Sequence, residues 1–197
     1  MLSSPSGGGK STLAKKISKL DNRCSISIST TTRCPRQGEV EGEDYFFVSK
    51  EKFENMNSEN FFVEVDSIYG NYYGTSKKYV EDILESGNDI IFDINAQGNE
   101  SLRKHFGSKV TSIYVVPPSI EDLEKRLMDR GDCSNSIKAR LTNAKSEIMS
   151  YTTYDYLVVN KNIDESVENI MCIIKSTRLK LKNVQTNKVT QRFGLEV

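Results

Sequence analysis

At 197 residues, 37% hydrophobic and 27% charged, the chain is long enough for one α/β domain and too rich in apolar side chains for a disordered one. Lysine plus arginine and aspartate plus glutamate balance at 27 each, so nothing points to generic adhesion to nucleic acid or anionic lipid, and any anion site has to be local. No run approaches the roughly 18 apolar residues of a membrane span and no signal-peptide pattern opens the sequence, which leads us to expect no membrane partner and a cytoplasmic location.

The chain opens on Met1-Leu2-Ser3 and runs directly into Ser4-Pro5-Ser6-Gly7-Gly8-Gly9-Lys10-Ser11-Thr12. The general phosphate-binding pattern is Gly, four residues, then Gly-Lys-Ser/Thr. Gly9, Lys10 and Ser11 match it, while Ser4 stands where the first glycine belongs. The chemistry tolerates that change. Gly7, Gly8 and Gly9 allow the turns that aim several N–H groups at one anion, and a helix starting near Ser11 adds its positive end. Lys10 can reach the β- and γ-phosphates of a nucleotide, and the Ser11 hydroxyl can ligate Mg²⁺. A phosphate loop of this kind follows a buried strand, so the strand here is either very short or begins upstream of Met1; the expectation is an earlier natural start.

Leu13, Ile17 and Leu20 then fall at helical spacing, followed by a strand over 25–28. Residues 30–80 read as a small, partly antiparallel insertion, with short strands at 45–48 and 61–65 and turns at Gly38, Gly42, Gly70 and Gly74. Within a strand over 90–94, Ile90-Ile91-Phe92-Asp93 is an apolar run ending in an acid, placed to hold the water shell of a metal. A strand over 112–116 leads to a helix carrying Ile120, Leu123 and Leu127, with Ser119 as N-cap and Asp122 three residues on. The glycine-led polar stretch 131–135 reads as a short lid between two helices. A strand at 156–159 precedes a helical stripe of Val167, Ile170, Met171 and Ile174, and beyond Ser176 the pattern fades into a lysine-rich tail. Strands alternating with helices predict βαβ units around a parallel sheet. Cys24, Cys34, Cys133 and Cys172 form no CxxC pair and read as reduced thiols, and His105 as a surface histidine.

Several stretches together resemble the guanylate kinase family. They are Ser29-Thr30-Thr31-Thr32-Arg33-Cys34-Pro35-Arg36-Gln37-Gly38-Glu39, then Gly42-Glu43-Asp44-Tyr45, and Gly70-Asn71-Tyr72-Tyr73-Gly74-Thr75. Asp93-Ile94-Asn95-Ala96-Gln97-Gly98, Pro117-Pro118-Ser119 with Arg126-Leu127 and Arg130-Gly131, and the run from Ile137 through Glu147 to Asn160 continue the match in order. The resemblance implies a single α/β domain with a P-loop three-layer sandwich around a central parallel sheet. Its core would comprise 1–29, 81–125 and 155–180, with a mixed α+β GMP-binding insertion at 30–80. The lid and its flanking helices would span 126–154, and a basic tail 181–197.

It also implies ATP, as Mg·ATP, on Ser6, Gly7, Gly8, Gly9, Lys10, Ser11 and Thr12, with Asn160 near the adenine and Mg²⁺ on Ser11 and, through water, Asp93. Arg33, Arg36, Tyr45 and Tyr73 would hold the GMP phosphate, two guanidinium forks and two hydroxyls suiting a dianion. Glu64, Thr75, Ser29 and Asn95 would read guanine, with Asp93 beside them. Guanine offers N1–H and N2–H₂ as adjacent donors to a carboxylate, whereas adenine reverses the polarity and would leave buried groups unpaired. Asn95 departs from the family, where an aspartate is usual. Arg126, Arg130 and Arg140 would close over the transferring phosphoryl group and exclude water. The implied reaction is γ-phosphoryl transfer from ATP to GMP, and to dGMP, in purine nucleotide metabolism. It needs no general base because the acceptor is already ionised. Two rivals carry different expectations: a guanylate-kinase-like module that grips phosphopeptides, disfavoured by the intact Gly9-Lys10-Ser11, and a ribose-phosphate kinase, disfavoured by Glu64 with Thr75. Nothing in the sequence sets the oligomeric state.

Overall fold

The structure, a computed structural model, describes residues 1–68, 70–129 and 134–180. The chain starts with β1 (Leu2–Ser3), crosses through α1 (Lys10–Leu20) to β2 (Cys24–Ile26), and then leaves the core. The excursion contains β3 (Ser29–Thr31), β4 (Tyr45–Phe47), α2 (Lys50–Ser58), β5 (Phe62–Ile68) and β6 (Asn71–Ser76). It returns by α3 (Lys77–Glu85) to β7 (Asp89–Ile91), α4 (Ala96–Phe106), β8 (Ile113–Val116), α5 (Ile120–Asp129), α6 (Ser134–Ile148), β9 (Tyr156–Val159) and α7 (Ile163–Arg178).

In the core, β2 pairs with β7, β1 with β8 and β8 with β9, all in parallel. A parallel bridge between Leu2 and Asp93 joins the two groups, giving the order β2-β7-β1-β8-β9. Helices cover both faces, as parallel strands require. Leu13 and Ile17 of α1 and Val167 and Ile170 of α7 pack with Leu2, Ile91, Val115 and Val158. Val80 of α3 and Leu102 of α4 pack with Val63 and Phe92 on the other side. Leu123 and Leu127 of α5 meet Ile137 and Ala144 of α6 in a third cluster. This is the three-layer arrangement that the resemblance implies, with β1 spanning only Leu2–Ser3.

The insertion is a four-stranded sheet of order β4-β3-β6-β5, parallel only between β3 and β4. Phe53 of α2 is the staple beneath it, stacked on Phe62 at 4.6 Å and on Tyr72 at 5.4 Å between ring centroids. Two local expectations change, and two elements go unforeseen. Gly74 is a mid-strand residue of β6 rather than a turn, because a Cβ there would lie 2.9 Å from the Phe62 ring. The strand expected at 90–94 leaves regular pairing after Ile91, and Phe92 instead accepts a hydrogen bond from Leu2 N at 2.8 Å. The short β3 and the polar α2, whose one buried residue is Phe53, carry too little periodicity to be read from sequence. Arg130, residues 131–133 of the expected lid loop, Cys133 and the tail at 181–197 lie outside the described residues.

Candidate active site

Two clusters of polar side chains share one end of the core sheet, joined through the residues that follow β7. The first surrounds the loop between β1 and α1. Gly7 and Gly9 adopt φ of 90° and 99°, a region costly for residues with a Cβ, and Gly8 N donates to Pro5 O at 2.9 Å. Gly8 also has no room for a side chain, because a Cβ would come 2.6 Å from Ser4 Oγ. Thus the serine that replaces the first glycine packs inside the turn rather than disrupting it. Helix α1 begins at Lys10 with no side-chain cap and no acid in its first turn, which leaves its N–H groups for an anion.

Lys10 Nζ lies 3.0 Å from Asp93 Oδ1, and Ser11 Oγ donates to Asp93 Oδ2 at 2.5 Å. Asp93 stands just past β7, where the Leu2 bridge holds it against the loop. The expected lysine and hydroxyl therefore both meet the expected carboxylate. A hydroxyl and a carboxylate are hard oxygen donors, suited to Mg²⁺ completed by water and phosphate oxygens. Thr12 follows on the exposed side of the first turn of α1. Arg140 of α6 donates to Ser6 Oγ at 2.8 Å, and Leu123 and Leu127 of α5 lie against Gly7, so the helices flanking the expected lid lean on the loop itself.

Asn160 is buried, with both ends of its amide engaged. Nδ2 donates to Gly8 O at 3.0 Å and Oδ1 accepts from Ser166 Oγ at 3.1 Å. Arg126 Nη2 donates to the Asn160 carbonyl at 2.6 Å. Gly9 is the residue that tolerates this brace, since a Cβ on it would come 2.6 Å from Asn160 Nδ2.

The second cluster lines the insertion sheet. Glu64 is only 4% exposed, and burial is the main reason its carboxyl is pushed up to about 6. Thr75, opposite it on β6, donates to Glu64 Oε1 at 2.6 Å, and the hydroxyls of Ser29 and Thr75 lie 3.3 Å apart. A threonine hydroxyl has one hydrogen, so with Glu64 ionised Ser29 is the donor to Thr75. Nearby, Tyr45 and Tyr73 meet edge to face at 6.1 Å, and the Arg33 guanidinium sits 5.3 Å over the Tyr45 ring. Arg33 donates to Glu39 Oε1 at 2.7 Å, which pushes its guanidinium pKa up and the Glu39 carboxyl down. Burial likewise raises the Tyr45 phenol. Glu39 Oε2 accepts from Arg36 N at 2.7 Å, leaving the Arg36 side chain on an exposed turn.

Arg33, Tyr45 and Tyr73 are thus gathered, Arg36 is close by in sequence but exposed, and Glu64, Thr75 and Ser29 form one buried chain. Asn95 caps α4, its Oδ1 accepting from Gly98 N at 3.0 Å, and reaches across to β5, donating from Nδ2 to Asp66 Oδ2 at 2.6 Å. Sequence reading missed two participants, Glu39 and Asp66. Glu39 could have been found as the acid six residues beyond Arg33 in the same loop. Asp66 could have been found as the second acid on the Glu64 face of β5.

Comparison with known proteins fits this geometry. A family model described as guanylate kinase matches residues 1–177. The chain is 47% identical over 181 residues to the guanylate kinase of Rickettsia felis, covering 91% of this chain and 94% of that one. It is 43% identical over 183 residues to that of Haemophilus influenzae, covering 91% and 88%. The crystal structure of guanylate kinase from Anaplasma phagocytophilum superposes with a TM-score of 0.80 at 33% identity, covering 99% of this chain and 94% of that one. By its sequence, its fold and its paired clusters, the chain belongs to the guanylate kinase family.

Proposed function

We propose that the chain carries out the family's reaction, ATP-dependent phosphorylation of GMP to GDP, with the phosphate loop as the ATP half and the insertion as the GMP half. The observation that carries this reading is the buried Glu64 carboxylate. No lysine or arginine pairs with it among the described residues, and it lies on the same sheet as the Arg33–Tyr45–Tyr73 group. A buried unpaired carboxylate is costly, and a ligand offering two adjacent N–H donors offsets that cost, which describes the edge of guanine.

In the ATP half, the N–H groups of Gly7 to Ser11 and the end of α1 receive the phosphates, and Lys10 turns from Asp93 to the β- and γ-phosphate oxygens. Ser11 would ligate Mg²⁺ and Asp93 would hold it through water, and the ion would offset the negative charge of the phosphates. Asn160 and Arg126 brace the loop from beneath. In the GMP half, Arg33, Tyr45 and Tyr73 hold the 5′-phosphate, Arg36 swings in from its turn, and Glu64 accepts from N1–H and N2–H. A phosphate oxygen of GMP attacks the γ-phosphorus as the bond to the β-bridging oxygen breaks, leaving ADP. Arg140, with Arg126 and Arg130, stabilises the charge developing in flight. Every side chain assigned to the acceptor addresses its base or its phosphate, so the reading extends to dGMP. Cys24, Cys34 and Cys172 are free thiols, in keeping with a reducing, cytoplasmic setting.

The test is ADP release from Mg·ATP with GMP, dGMP, AMP, CMP, UMP or no acceptor. Turnover with GMP and dGMP alone is the expected result. Equal turnover with AMP, or ADP release without acceptor at the same rate, refutes the division into two half-sites.

A further inference from the structure

The family's usual acid at position 95 is an asparagine here, and its amide is fully directed. Gly98 N–H can donate only to the amide oxygen, so Asn95 Oδ1 must face the end of α4 and Nδ2 must face outward. What Nδ2 meets is Asp66 Oδ2, at 2.6 Å. Side chains alternate along a strand, so Asp66 shares the face of Glu64, about 6.6 Å further along β5 at ~3.3 Å per residue. The register sets Glu64 opposite Thr75 and Asp66 opposite Tyr73. Asp66 therefore sits on the pocket face, two residues along β5 from the residue assigned to the base and directly across from one assigned to the phosphate. Its backbone neighbour Ser67 N donates to Oδ1 at 2.8 Å, so both carboxylate oxygens are oriented and each keeps a free lone pair.

We propose that Asp66 is a specificity-determining residue of this chain, its carboxylate accepting the second hydrogen of the guanine 2-amino group while Asn95 fixes its direction. The assignment rests on the reading of the insertion as the GMP half. Glu64 can take N1–H and one hydrogen of the 2-amino group together; the other hydrogen points away and needs a separate acceptor. Asn95 presents a donor toward the cleft and cannot serve as that acceptor, whereas Asp66 can. The pairing also accounts for the amide at 95. An aspartate there would set two carboxylates 2.6 Å apart, and one of them would have to take up a proton or swing away. The acid has in effect moved from the start of α4 to β5, and the asparagine is the counterpart that makes the move tolerable.

The discriminating substrate is IMP, which lacks the 2-amino group and is otherwise the same acceptor. In the Asp66→Ala variant, kcat/KM for GMP is expected to fall about tenfold to a hundredfold, the range for a hydrogen bond to a charged group. IMP should change by less than about threefold, and the loss should lie in KM. Asp66→Asn, which preserves shape, should lose the same selectivity. Asn95→Asp alone should weaken GMP binding more at pH 8 than at pH 6, and the double variant Asp66→Ala with Asn95→Asp should recover GMP selectivity to within about threefold of the unaltered protein. Equal losses for GMP and IMP in both Asp66 variants, or no loss in either, overturn the assignment and leave the kinase reading intact. Failure of the unaltered protein to phosphorylate GMP overturns the reading on which the assignment rests.

Discussion

The ATP half and the GMP half solve the same problem, holding phosphate, in opposite ways. Around the phosphate loop the polar groups already satisfy one another: Lys10 and Ser11 on Asp93, Arg140 on Ser6, Asn160 on Gly8. Its anion site is backbone, and backbone N–H groups at a helix end need only glycines and a helix start, which lie within nine consecutive residues. In the insertion, by contrast, the site is made of side chains drawn from four strands and a loop. Ser29 and Thr75 meet across 46 residues of sequence, and Glu64 is buried with no cation beside it among the described residues. On the proposed reading, the first half suits any nucleoside triphosphate, and the second holds a buried carboxylate that a ligand with adjacent N–H donors satisfies.

Breaking the ATP half at its charge should have the largest effect. Lys10→Ala is expected to lower kcat by about a hundredfold to a thousandfold, while the dissociation constant for GMP, measured by calorimetry, stays unchanged. A parallel loss of GMP affinity would erase the independence of the two halves. Next in size is Glu64→Gln, which should lower kcat/KM for GMP by about tenfold to a hundredfold and shrink the preference over AMP.

The same substitution has a stability signature of opposite sign. Burial raises the Glu64 carboxyl from 4.5 to about 6. The folded state thus binds its proton more tightly than the unfolded chain does, and the stability this confers is present below pH 4.5 and is lost as pH rises to about 6 and beyond. That loss is on the order of 2 kcal/mol, at about 1.36 kcal/mol per pKa unit. The melting temperature of Glu64→Gln relative to the unaltered protein should therefore rise between pH 4.5 and 7 and then level off. A flat difference would mean that Glu64 is not the strained group. GMP affinity should also weaken as pH falls through about 6, since the carboxylate must be ionised to accept two donors.

Smaller effects separate loop geometry from charge. Gly9→Ala meets both a left-handed φ and Asn160 Nδ2, and is expected to raise KM for ATP severalfold and cost about 1–2 kcal/mol in urea unfolding. Asn160→Ala removes the brace on Gly8 and should cost about 1 kcal/mol, with a modest rise in KM for ATP and none for GMP. A GMP effect as large as the ATP effect in either variant would show the halves to be coupled through the loop.

What could be read from sequence alone follows from locality. The phosphate loop, the Ser119 cap that accepts from Asp122 N at 3.1 Å, the strand at Tyr156–Val159 and the α7 stripe each depend on residues a few positions apart, so spacing suffices to find them. The resemblance brought in the distant members of the site, Glu64, Thr75, Arg33 and Tyr73, which no local pattern would have linked. Only the tertiary structure decided which of these touch. It set Gly74 inside a strand under the Phe62 ring, ran Asn160 beneath Gly8, and brought Asn95 of the core to Asp66 of the insertion. Such contacts depend on sheet register and on where segments distant in sequence meet. Period and propensity along one segment carry no information about what faces it across a cleft.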